Sequence, residues 1–170
     1  MHLSSFLRDV PDFPKPGILF KDISPLLASP AAMDHAIRSF ARLDVGRIDK
    51  VAAIESRGFL FGAPLAMRLG VGFVPIRKPG KLPWKTSRVE YSLEYGKDAI
   101  EIHQDAVSVG ERVLLIDDLL ATGGTMAAAC QLVESCGGNV VACAFVVELC
   151  FLPGRKRLGS HRVEALVSVH

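Results

Sequence analysis

The sequence predicts an α/β protein with a doubly wound, mainly parallel sheet flanked by helices, and three observations predict it. Residues 113–116, Val-Leu-Leu-Ile, form an unbroken apolar run ended by Asp117 and Asp118, the pattern of a strand buried on both faces. A stretch of good helix formers follows at 126–135 and is stopped by Gly137 and Gly138. Strand, tight loop and helix recur in that order at 51–70, and an apolar, β-branched run at 140–147 completes a strand–helix–strand unit.

A chain of 170 residues is expected to form one domain, 1–170, around a single core. Its net charge of +2 argues against a dedicated nucleic-acid binder. The first ten residues are too polar for a signal peptide and no apolar run reaches membrane-spanning length, so a soluble cytoplasmic protein without a membrane partner is expected. Cys130, Cys136, Cys143 and Cys150 lack a C-x-x-C spacing and fall on apolar stretches, which reads as buried reduced thiols. The five histidines show no metal-ligand spacing.

Taken in order, residues 1–9 read as a short helix. Pro11, Pro14 and Pro16 then impose an irregular arm, with a short extended piece at 18–22. Ser29 and Pro30 are an N-cap and first-turn pair, and Ala36, Ile37, Phe40 and Leu43 at helical spacing predict an amphipathic helix over 30–43. The strand at 51–54 runs into Glu55-Ser56-Arg57-Gly58 and a helix closed by Gly70, and 72–76 is a third strand. Arg57, beside helix N–H groups, is either a solvated charge or a ligand for an anion.

From Arg77 the composition changes. Arg77, Lys78, Lys81, Lys85 and Arg88 occur with no acid before Glu90, interleaved with Pro79, Gly80, Pro83 and Trp84. A solvated basic loop or a nucleic-acid arm would tolerate this pattern. A lid over 77–98 that closes on a polyphosphate accounts for the prolines, the glycine and the charge together. Two hairpin arms are expected at 91–96 and 99–103, and a last strand at 163–169. Glu148 ends its strand at the ligand edge, either as a cap or against a ligand, and the basic segment 151–159 has no assigned task.

The chemistry concentrates between Ile116 and the helix that follows, at Asp117-Asp118-Leu-Leu-Ala121-Thr122-Gly123-Gly124-Thr125. Glycines let the backbone turn tightly, threonines add hydroxyls, and the opening turn of the helix offers unpaired N–H groups. That is a cradle for one phosphate. Two carboxylates beside it would repel a bare phosphate, but they accept hydrogen bonds from hydroxyls or attract a divalent cation. A sugar phosphate meets both demands. The spacing is neither that of a P-loop nor the Gly-x-Gly-x-x-Gly dinucleotide fingerprint.

Residues 113–125 resemble the phosphoribosyl pyrophosphate (PRPP) motif of the type I phosphoribosyltransferase family, in wording similar to its adenine-using members. The resemblance runs from Pro11 to Leu149 and is strongest at 113–125, 55–62 and 91–96. It implies a type I phosphoribosyltransferase-like fold with an N-terminal hood at 1–29 and a flexible lid and flap at 77–98. It also implies purine salvage: transfer of the 5-phosphoribosyl group from PRPP to adenine, giving AMP and pyrophosphate. Asp117 and Asp118 would hold the ribose hydroxyls, and Ala121, Thr122, Gly123, Gly124 and Thr125 the 5-phosphate. Pyrophosphate would meet Glu55, Ser56, Arg57, Lys78, Lys81 and Tyr95, with a cis peptide between Glu55 and Ser56. Leu19 and Lys21 would read the adenine edge through the main chain and Phe20 would lie against its face. Glu94 would act as general acid–base at purine N7, and Arg57 counts with it as catalytic.

Magnesium is implied as cofactor, held mainly by substrate and water near Asp117, with no direct protein ligand set. A homodimer is implied as well. The same chemistry on hypoxanthine, xanthine or orotate is one alternative, opposed by Ser92-Leu-Glu94-Tyr95-Gly96 and the proline-rich arm. A PRPP-sensing regulator is the other, opposed by the absence of room for a DNA-binding segment.

Overall fold

The computed structural model describes residues 1–92 and 96–170. The chain opens with a 3-10 turn, Leu3–Phe6, and an antiparallel pair, β1 (Arg8–Pro11) and β2 (Leu19–Asp22). The short helix expected over 1–9 is thus only one turn long. Residues 8–11 instead find a ladder partner in β2, and Lys21 pairs with Asp9 at 2.6 Å. Pro11 is tolerated because it lies at the end of a two-stranded edge, where its missing N–H leaves no interior ladder bond unmade. The turn between the strands holds a cis Phe13–Pro14 bond and Gly17 at φ 85°, whose N–H reaches Asp12 Oδ1 at 2.7 Å.

After the short α1 (Ser24–Leu27), α2 (Pro30–Ala41) starts as the sequence indicates: Ser29 is extended and its hydroxyl accepts from Ala32 N at 3.3 Å. Then come β3 (Lys50–Ile54), α3 (Phe59–Leu69) and β4 (Gly72–Ile76), with Gly70 left-handed at φ 68° closing the helix. The hairpin is β5 (Thr86–Ser92) and β6 (Lys97–His103). Its first arm begins earlier than expected, at Thr86 in place of Tyr91. Val89 and Tyr91 on that arm pack against the core, which outweighs the basic composition around Arg88. The remainder is β7 (Arg112–Leu120), α4 (Gly124–Ser135), β8 (Asn139–Leu149), α5 (Gly154–Arg157) and β9 (Val163–Val169).

Five strands pair in parallel in the order β4-β3-β7-β8-β9. Each strand alternates its side chains between two apolar layers. Leu115 and Ala52 pack with Met126 and Ala129 of α4, whereas Leu114, Ile116 and Ala53 pack with Phe40 of α2 and Leu65 of α3. Each such fully buried leucine or isoleucine contributes about 1.5–3 kcal/mol relative to exposure. Helices on both faces make the sheet doubly wound, as the apolar runs predict.

Strand order fixes where a ligand can sit. From β3 the chain crosses to β4 on one side, and from β7 it crosses to β8 on the other. The loops leaving β3 and β7 therefore part from each other at their carboxyl ends and open a crevice. Pairing of β3 with β7 stops at Ala53↔Ile116, while β7 continues beside β8 to Leu120↔Glu148. Asp117 and Asp118 thus emerge just where β3 has turned away, on the rim of that crevice.

Candidate functional site

The tight glycine turn expected between β7 and the following helix is present. Gly123 sits at φ 78°, a left-handed conformation that would strain any other residue, and α4 begins at Gly124. The first helical bond runs from Ala127 N to Gly123 O at 2.9 Å, so the amides before it have no intrahelical acceptor. A cavity of about 100 Å³ is lined by Asp117, residues 119–126 and Phe145, which includes Ala121, Thr122, Gly123, Gly124 and Thr125.

Asp117 and Thr125 also line a second cavity, of about 300 Å³, with Ile54, Glu55, Ser56, Arg57, Lys78, Tyr91, Asp98 and Asp118. Seven residues expected on chemical grounds or from the resemblance therefore share one space. The Glu55–Ser56 peptide is cis, as the resemblance implies. Gly58 is required beside it: a Cβ there would stand 2.6 Å from Ile54 O and 2.9 Å from Asp117 Oδ1. The contact is how the β3 loop closes down on the end of β7.

The charges in this cavity are already partnered. Arg57 donates through Nε to Asp118, whose side chain is nearly buried, and this hydrogen bond raises the guanidinium pKa further. Glu55 Oε2 accepts from Arg77 Nε at 3.0 Å and from the Lys78 amide at 2.9 Å, fixing the start of the 77–85 segment. Lys78 forms an ion pair with Asp98, and Tyr91 donates its hydroxyl to the same Asp98 oxygen at 3.2 Å. Asp117 keeps a solvent-facing edge but is packed around by protein. Burial pushes its carboxyl well above the ordinary carboxylate range, and the negative charge of Asp118 pushes it the same way.

Other expected residues stand elsewhere. Lys81 is exposed and does not line the cavity; its carbonyl accepts from Arg77 instead. Leu19, Phe20 and Lys21 lie on β2, outside both linings, with the Phe20 ring edge-on to Phe13 at 5.1 Å. The arm nevertheless ends at the site, because Asp22 is close enough to Arg57 for their charges to interact. Glu94 and Tyr95 lie outside the described residues.

Glu148, read as a cap or a ligand contact, faces Arg155 at the end of β8. It is buried and gripped by Arg155, Nε to Oε1 at 2.8 Å and a second nitrogen to Oε2 at 2.5 Å. The cysteines divide: Cys130 and Cys143 are buried, but Cys150 is exposed because it follows the last paired residue of β8. Sequence reasoning missed Asp98, Tyr91 and the C-terminal arginines. The cross-strand pair Tyr91↔Asp98 was the available signal, and reading the hairpin arms from 91 and 99 concealed it.

Fold and site together define the class. Residues 22–162 match the family model described as the phosphoribosyl transferase domain, and the chain belongs to that family. Among its relatives is the adenine phosphoribosyltransferase of Methylococcus capsulatus, 57% identical over 166 residues that make up 97% of each chain. The crystal structure of the adenine phosphoribosyltransferase of Thermoanaerobacter pseudethanolicus superposes with a TM-score of 0.95 at 54% identity, covering 98% of both chains. That of Saccharomyces cerevisiae, complexed with an imino-altritol bisphosphate and adenine, gives 0.87 at 42% identity over 96% of each chain.

Proposed function

We propose that this chain transfers the 5-phosphoribosyl group of PRPP to adenine, releasing AMP and pyrophosphate, as a step of purine salvage. The observation that carries this reading is the meeting of two loops at the parting of β3 and β7, one a phosphate cradle with paired acids, the other bearing Arg57. Relatives of matching length that carry the adenine name support the choice of base.

In this reading residues 121–125 hold the 5-phosphate through free amides and threonine hydroxyls. Asp117 and Asp118 accept the ribose hydroxyls. Breaking the bond from the sugar to pyrophosphate develops positive charge on the ring and negative charge on the leaving group. The protein's part is to place the two substrates and stabilise those charges, without a covalent intermediate. Arg57 and Lys78 face the leaving group, with Glu55, Ser56, Lys81 and Tyr95 assigned to the same region. Leu19, Phe20 and Lys21 form the adenine hood, next to Arg57 through Asp22. Glu94 donates to N7 of the purine.

The donor chemistry suits magnesium. Glu55, Asp98, Asp117 and Asp118 outnumber Arg57 and Lys78 around a space meant for pyrophosphate, and a hard divalent cation carried by that group offsets the excess. When bound it would neutralise charge on the leaving oxygens, and Asp117 would be the carboxylate beside it. Among the described residues no helix is long and apolar enough to cross a membrane. A cytoplasmic homodimer is part of the proposal.

Incubation with PRPP, magnesium and each of adenine, hypoxanthine and xanthine tests the reaction. AMP formed from adenine alone supports it, and no nucleotide from any base defeats it. Glu94→Gln should slow turnover by about 10²–10⁴-fold while leaving PRPP binding nearly unchanged; equal loss of both removes the acid–base role.

A further inference from the structure

We infer that Asp98 is a positioning residue that holds Lys78 in reserve and competes with the pyrophosphate group of PRPP for it. The inference rests on the proposed function, because it takes the space beside Lys78 to be the leaving-group site.

The geometry is that of a fixed post and a swinging arm. Asp98 sits on β6 opposite Tyr91 and is held by its own surroundings: Oδ1 accepts from the Ala99 amide at 2.8 Å and Oδ2 from the Tyr91 hydroxyl at 3.2 Å. Tyr91 is itself nearly buried, with its ring against Gly124 at the start of the phosphate cradle. Asp98 is therefore not free to follow its partner. Lys78 is anchored at the backbone, where its amide donates to Glu55 and its carbonyl accepts from the Lys81 amide at 3.3 Å. Its ammonium, on four rotatable carbons, passes 6.0 Å from the centre of the Tyr91 ring to reach Asp98. Rotation of that side chain about a fixed Cα moves the charge from the hairpin wall into the cavity.

Charge supplies the reason for a reserve. With Lys78 loose in an empty cavity, the loop would meet any passing phosphate. With Lys78 bound to Asp98, a ligand must offer more negative charge than one carboxylate to win it, as a pyrophosphate group does. Lys78 and Asp98 are both partly exposed, so the competition is modest and reversible. Because Asp98 pairs with Lys78 on the wall of that cavity, its effect should show first in affinity for the pyrophosphate group.

Steady-state kinetics in PRPP, with calorimetry of inorganic pyrophosphate and magnesium, tests the assignment. Asp98→Asn should lower the KM for PRPP and the pyrophosphate Kd by about two- to five-fold, the range for a half-exposed ion pair, with no rise in kcat. Asp98→Glu, which restores the charge, should return both constants toward those of the unaltered protein. Lys78→Met should raise both, and adding Asp98→Asn to it should bring no further gain. Unchanged or raised constants in Asp98→Asn overturn the inference, as does a gain that persists without Lys78. Should Asp98→Asn fail to fold, Asp98→Ala and Asp98→Thr carry the same test: a lower KM for PRPP and a lower pyrophosphate Kd in either, lost when Lys78→Met is added, supports the inference, and unchanged or raised constants overturn it. If the unaltered protein binds neither PRPP nor pyrophosphate, the proposed function fails instead.

Discussion

Gly123 and Gly154 are in direct contact: a Cβ on Gly123 would stand 2.6 Å from the Gly154 carbonyl oxygen, and one on Gly154 would stand 2.3 Å from the Ala121 carbonyl oxygen. The start of α5 is thus the floor on which the 121–124 turn, the proposed phosphate cradle, rests, and the basic C-terminal segment has a task. Gly154→Ala should push residues 121–123 away and raise the KM for PRPP at least tenfold while far-ultraviolet circular dichroism stays the same. Gly123→Ala meets the same wall and adds about 1–3 kcal/mol of backbone strain at φ 78°, so its melting temperature should fall as well.

The Glu148–Arg155 pair ties the end of β8 to α5 and so supports that floor from behind. Arg155 holds the Glu148 carboxyl below its ordinary value near 4.5. The folded state therefore binds this proton more weakly than the unfolded chain. The resulting stability is present above that ordinary value and is lost as pH falls through the folded one. Arg155→Met should flatten this acid limb of a urea-midpoint profile. At neutral pH it should cost about 1–3 kcal/mol, toward the lower end because Arg155 is half exposed.

Asp117 has the opposite sign. Its folded pKa is raised, chiefly by burial and then by Asp118, above an ordinary value near 3.8. The folded state holds this proton more tightly, so its contribution favours folding below that value and declines as pH rises toward the folded one. Asp117→Asn should melt at a higher temperature than the unaltered protein at neutral pH, with a smaller pH dependence. The same substitution should abolish most activity if the carboxylate accepts a ribose hydroxyl. A lower melting temperature at neutral pH would contradict the strain assigned to the acidic pair.

Trp84 is half exposed on the 77–85 segment, its ring 6.4 Å from that of His103. If that segment closes on polyphosphate, PRPP with magnesium should change tryptophan emission or reduce acrylamide quenching, and ribose 5-phosphate should do so weakly. No response to any phosphorylated ligand would remove the lid assignment.

Much of this was legible because it is written in neighbouring residues. The apolar run before Asp117, the Ser29 cap, the Gly70 stop and the turn through Gly123 each depend on a few contiguous side chains and backbone angles, and each stands where the sequence puts it. The hairpin was legible only in part. Its second arm begins at Lys97, ahead of the expected 99, and in a hairpin a short slip changes every facing pair, so Asp98 was not seen opposite Tyr91. The arm at 8–11 was misread for a similar reason, since its strand exists only by virtue of β2.

By itself, then, the amino-acid order determined the strand–loop–helix units, the glycine turn before α4 and the family they announce, because local sterics and free amides need no distant partner. Tertiary structure decided that the loops after β3 and β7 share one crevice, that Arg155 grips Glu148, and that Lys78 rests on Asp98. Those facts follow from strand order and register, which are settled by burial across the whole sheet and by no short stretch of chain.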